Sequence, residues 1–152
     1  MRTALIPTIA TAIVALAGCG ESSSGSLDKG ELVRKADAIC KDVNRRTNAL
    51  PAATDVKSAA RTLRETLVIL GAGLGRLRNL KPPADLRDAY DAWLAKDGEL
   101  IAQAGRTQAA AARGDGKGLR RSIADASVIH NEANKLAAEI GLKICSARQT
   151  RT

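Results

Sequence analysis

The sequence predicts an all-α fold, an up-down-up-down four-helix bundle, on three observations. The chain of 152 residues holds one Tyr, one Trp and no Phe, while Ala, Leu and Arg dominate, a balance that favours helices over sheets. Val56, Ala60, Leu63, Leu67, Leu70, Leu74 and Leu77 recur at spacings that alternate between four and three, which is a helix-packing seam. Pro and Gly interrupt the chain at Pro51, Pro82-Pro83 and Gly114-Asp115-Gly116. They leave four amphipathic stretches joined by short turns, the pattern of antiparallel neighbours in one domain.

The first helix opens at Asp28-Lys29-Gly30-Glu31, a capping box with an acceptor at the cap and an acid three residues on. Leu32, Val33, Ala36, Ile39, Cys40, Val43 and Leu50 mark its apolar face, and Pro51 ends it. Asp55 caps the second, whose seam runs through Gly71-Ala72-Gly73-Leu74-Gly75. That run has no preceding strand and no following Lys-Ser/Thr, so it reads as close helix approach and not as a phosphate loop. Pro82-Pro83-Ala84-Asp85 stops the second helix and starts the third, because proline fits a first turn and no later one. Leu86, Tyr90, Trp93, Asp97, Leu100, Ala104 and Ala111 line one side of that third helix. The Arg113-Gly114-Asp115 triplet belongs to a glycine-rich turn. The fourth helix carries Leu119, Ile123, Ala126, His130, Ala133, Ala137 and Ile140, and Gly141 caps its C-terminus.

Ahead of the bundle stand a positive start (Met1, Arg2), an apolar run over residues 4–17 and small residues before a cysteine, the layout of a secretory signal. The run is shorter than the roughly 20 apolar residues that span a bilayer. Leu16-Ala17-Gly18-Cys19 resembles the bacterial lipobox at every position. The resemblance implies cleavage before Cys19, diacylation of its sulfur and anchoring on the extracytoplasmic face of the cell membrane. Residues 1–18 then form the signal peptide, 19–27 a lipidated Gly/Ser-rich tether, 28–145 the bundle and 146–152 a polar tail.

With Cys19 consumed by lipid, Cys40 and Cys145 remain as an even pair in an oxidising compartment, and a disulfide between them is expected. The pattern Ala36-Asp37-Ala38-Ile39-Cys40, Pro82-Pro83 and Gly141-Leu142-Lys143-Ile144-Cys145 resembles a group of small exported helical proteins of actinobacteria. That resemblance implies an extracytoplasmic helical domain with a Cys-Cys clasp and no catalytic role.

The single His and the paired thiols give no metal-ligand spacing, and C-x-x-C is missing, so neither a metal nor another cofactor is expected. Without interleaved aromatics a nucleic-acid partner is not expected either. Asp97 and His130 are the two ionisable residues on otherwise apolar seams. Counted from a turn near Asp115 they fall at similar levels, which makes them a candidate buried polar pair. Ser122 and Ser127 lie about two turns and one turn from His130, and no nucleophile adjoins it, so the chain reads as non-enzymatic.

The net charge is +8. Residues 42–64 and 105–121 hold ten of the cations against three acids, and an up-down bundle gathers those windows at the pole away from the tether. Arg45, Arg46, Lys57, Arg61, Arg113, Lys117, Arg120 and Arg121 are the candidate contacts there. The expected function is a non-enzymatic, membrane-anchored lipoprotein of the cell envelope that presents a basic pole to anionic wall polymer, anionic lipid or an acidic protein. The alternative is a small-ligand carrier or sensor with a cavity between the helices near Tyr90, Trp93, Asp97 and His130.

Overall fold

The computed structural model describes residues 25–147; the leader, the lipobox cysteine Cys19 and residues 148–152 lie outside the described residues. The fold is all-α, with four helices packed in sequence: α1 (Lys29–Asn48), α2 (Val56–Arg78), α3 (Arg87–Ala112) and α4 (Gly116–Ile140). A 3₁₀ turn over Ala84–Leu86 follows Pro83 and leads into α3, so the two prolines start the helix one turn before the α-geometry sets in.

The helix ends form where the side chains supply partners for orphan backbone groups. Asp28 accepts the Glu31 N–H at 2.7 Å, while the Glu31 carboxylate turns to Arg34 and Lys35 rather than back to the cap. At α2 the capping box is complete, because Asp55 accepts from Ser58 N and Ser58 Oγ accepts from Asp55 N. Asp115 accepts from Gly118 N at 2.8 Å and starts α4. Gly141 ends α4 in the left-handed region, φ 99°, a conformation that costs a Cβ-bearing residue more than it costs glycine.

The core is concentrated toward the end of the bundle that carries Leu27. Leu32, Ala36 and Ile39 of α1, Leu74 and Leu77 of α2, Tyr90, Trp93 and Leu94 of α3, and Ala133, Ala137 and Ile140 of α4 form one cluster, closed by Leu142. Tyr90 and Trp93 stack edge to face with centroids 5.4 Å apart, and the Tyr90 hydroxyl donates to Leu77 O at 3.0 Å. Burial, with lesser repulsion from Asp97 and Asp91, raises the Tyr90 phenol far above its ordinary range, so it stays neutral. Leu27 N donates to Lys81 O at 2.8 Å, so the folded part begins inside the stretch read as tether.

Sequential helices approach one another closely, and α1 and α4 do not approach to the same degree. What joins them is the segment after α4. Cys40 and Cys145 form a disulfide with Cα atoms 5.3 Å apart, as the cysteine arithmetic predicts. Asp37 lies one turn before Cys40 and accepts the N–H groups of Lys143, Ile144 and Cys145 at 3.1, 2.8 and 3.2 Å.

Three details differ from the sequence reading. Ile123 is half exposed, and Ser122 takes the inward position instead. The facing stretch of α3 is polar there: Gln103 Nε2 donates to Ser122 O and Oγ at 3.0 and 2.9 Å, and the Thr107 and Ser122 hydroxyls meet at 2.8 Å. Val56 is also exposed at the start of its seam. Of the three glycines in the 71–75 run, only Gly73 marks a close approach; Gly71 and Gly75 face open space.

Candidate functional site

The cavity begins where α1 stops filling the bundle. Val43 packs on Gly73 and Asp42 pairs with Arg76 at 2.7 Å, so α1 runs beside the second half of α2 and ends beside its middle. The chain then climbs through residues 49–55, with the Thr62 hydroxyl donating to Pro51 O at 3.3 Å, before α2 turns back. The wide α1–α4 side is sealed below by the disulfide strap and left unfilled above it.

The resulting space has a volume of about 330 Å³ and is walled by all four helices and the strap. Val43, Leu70, Leu74, Leu77, Trp93, Leu100, Ile101 and Ile144 make its walls apolar. Asn44, Thr47, Thr66, Asp97, His130 and Asn134 place polar groups among them. Its size lies at the lower end of small-molecule sites, and an apolar wall with few polar groups is their usual make-up.

Asp97 and His130, the two residues singled out on the helical seams, line this one cavity. Burial pushes the Asp97 carboxyl up to about 7. The neighbouring Lys96 does not offset this, because its ammonium bridges Glu99 at 2.7 Å and Glu132 at 3.2 Å, and those bonds hold it protonated above its ordinary range. The His130 ring meets the Asn134 amide, Nδ2 to Nε2, at 3.1 Å. Trp93 stands one turn before Asp97 on the same face of α3 and borders the cavity from within the core, with Tyr90 beneath it.

The basic residues separate into groups. Lys57, Arg61 and Arg64 of α2 meet Arg113 at the end of α3 around an open groove of about 710 Å³. Arg45 pairs with Asp42, which also holds Arg76; the Arg76 bond first, then Arg45, draws the Asp42 carboxyl below its ordinary range. With α1 ending beside the middle of α2, Arg45 and the exposed Arg46 stand roughly 10 to 15 Å below the level of Arg61, at 1.5 Å of rise per residue. The sequence reading placed them at one level by assuming a tight α1–α2 turn. Lys117, Arg120 and Arg121 are exposed on the first turns of α4.

Sequence reasoning missed Asp37 as the acceptor for the strap and Asn134 as the partner of His130. The signal for Asn134 was an i, i+4 spacing from the only His. Among the described residues no group of three or more His, Cys, Asp or Glu is placed to hold a metal ion, and no helix is long and apolar enough to cross a membrane. No protein-family model, curated protein or solved structure matches this chain.

Proposed function

We propose that this is a non-enzymatic binding protein of the cell envelope, tethered to the membrane through Cys19, whose interhelical cavity holds a small ligand. The observation that carries the reading is the cavity itself, apolar over most of its wall, with Asp97 and His130 on it. A bundle free to close would fill such a space, since close packing is the rule inside proteins, and an unneutralised carboxyl beside it lowers stability at neutral pH. Both features are costs to the fold that a ligand offsets.

Trp93 is the single Trp of the chain and lines the cavity, so its emission reports occupancy. Titration with n-octanol is expected to change that emission saturably and with little dependence on salt, and Ala104→Phe, which fills the space, is expected to abolish the change. An emission unaffected by the probe, or affected equally in both proteins, would remove the cavity as a site.

A second reading has its own support. Lys57, Arg61, Arg64 and Arg113 surround one groove at the end of the bundle opposite Leu27, which suits an anionic surface or polymer. Binding to phosphatidylglycerol vesicles is expected to fade as salt shortens the Debye length to about 8 Å and to vanish in Arg61→Glu/Arg64→Glu/Arg113→Glu. Equal binding by that variant and by Arg34→Glu/Lys35→Glu/Lys135→Glu would reduce the effect to net charge.

A further inference from the structure

The wall of the cavity carries one carboxyl and no Lys or Arg, in a chain whose net charge is +8. Among the described residues no Lys or Arg forms an ion pair with Asp97. On α3, Lys96 is bound to Glu99 and, across to α4, Glu132. From α2, the Arg78 guanidinium lies against Gly98, 3.5 Å from where a Cβ would stand. The stretch of α1 on the wall brings only neutral side chains, its Cys40 sulfur being held in the disulfide. Tyr90 below is a buried phenol kept neutral. His130 of α4 is the other titratable group on the wall, and its ring is bonded to Asn134. One turn before Asp97 on the same helix face, Trp93 borders the space with its indole almost wholly buried. A lone carboxylate on an otherwise apolar wall forms a seat for an organic ammonium group, which it attracts through charge and a hydrogen bond.

Resting on the cavity reading above, we propose that the ligand is an amphiphilic amine, its apolar body held between the Leu and Ile side chains and its protonated nitrogen placed at Asp97. The ammonium binds the carboxylate form of Asp97. Because burial holds that carboxyl at about 7, occupation by an amine strengthens as pH rises through neutrality, with a proton released from Asp97 on binding. A neutral ligand with the same body has no such dependence.

The experiment uses the full-length protein with its disulfide closed and follows Trp93 emission with three probes of equal hydrocarbon length, n-octylamine, n-octanol and n-octanoate. At pH 8 the amine is expected to bind about tenfold more tightly than the alcohol, as one charge-assisted hydrogen bond provides, and octanoate more weakly than either. Near pH 5.5 the advantage of the amine is expected to disappear. Asp97→Asn should bring the amine to the affinity of the alcohol without changing the alcohol, whereas His130→Asn should keep the preference. Equal affinity of amine and alcohol at every pH, octanoate binding tightest, or a preference that follows His130 overturns the amine while leaving the cavity as a site. Failure of all three probes removes both. The pH series on the unaltered protein decides the matter even where Asp97→Asn folds poorly.

Discussion

Val43 of α1 rests on Gly73 of α2 so closely that a Cβ on the glycine would stand 2.5 Å from Val43 Cγ2. This contact sets how near α1 approaches α2 and therefore where α1 ends relative to the cavity. A β-branched side chain in a helix has one strongly preferred rotamer, so Val43 does not turn aside cheaply. Gly73→Ala is expected to destabilise the fold by about 1 to 3 kcal/mol through overpacking, despite the gain in helix propensity. Gly71→Ala and Gly75→Ala meet open space and should each stabilise by up to about 1 kcal/mol. Urea denaturation of the three variants checks the contrast, and Val43→Ala should rescue Gly73→Ala.

The clasp holds α1 to a bundle in which only the backbone of α2 otherwise runs close to it. The disulfide spans a sequence separation of 105 residues, and closing a loop of that length stabilises by roughly 4 to 5 kcal/mol in the chain-entropy description. Cys40→Ser/Cys145→Ser is expected to lose about that much. Asp37→Ala leaves three strap N–H groups without their acceptor and should cost about 1 to 3 kcal/mol, with exchange protection at Lys143, Ile144 and Cys145 lost first. Two free thiols in the protein isolated without reductant, or an unchanged unfolding midpoint in the serine variant, would refute this.

Asp97 gives the stability a pH dependence of definite sign. Its carboxyl is raised by burial from 3.8 to about 7 in the folded protein. Between those values the native state keeps a proton that the unfolded chain has released, so stability falls as pH rises from about 4 to about 7 and levels off above. A shift of this size corresponds to a few kcal/mol, on the order of one for each pH unit. Asp42, drawn below its ordinary value by Arg76 and Arg45, works in the opposite sense and at lower pH, so the windows do not overlap. Unfolding midpoints between pH 4.5 and 8 should decline in the wild type and stay nearly flat in Asp97→Asn; parallel curves would mean that the carboxyl is not held up by burial.

The elements and their ends were legible because each depends on neighbours in sequence. Asp28, Asp55 and Asp115 bond to N–H groups three residues on, and Gly141 takes the turn that its lack of a Cβ permits. Asp97 and His130 were legible as ionisable residues on apolar seams. The level of α1 was not, because it depends on the course of residues 49–55, which carry no periodic signal. Nor was the exchange of Ile123 for Ser122: apolar spacing favours the isoleucine, and only the facing Gln103 and Thr107 make the serine the better inward residue. The split of the basic pole follows from the same displacement of α1.

The cavity between Trp93 and His130 as a ligand site is the central claim, and native mass spectrometry of the protein isolated gently from cells tests it most directly. The account predicts that part of the wild-type population carries a small organic molecule, lost on acidification, and that Ala104→Phe emerges without it. Wild-type protein found wholly at its own mass, or the same adduct on both proteins, would contradict the account.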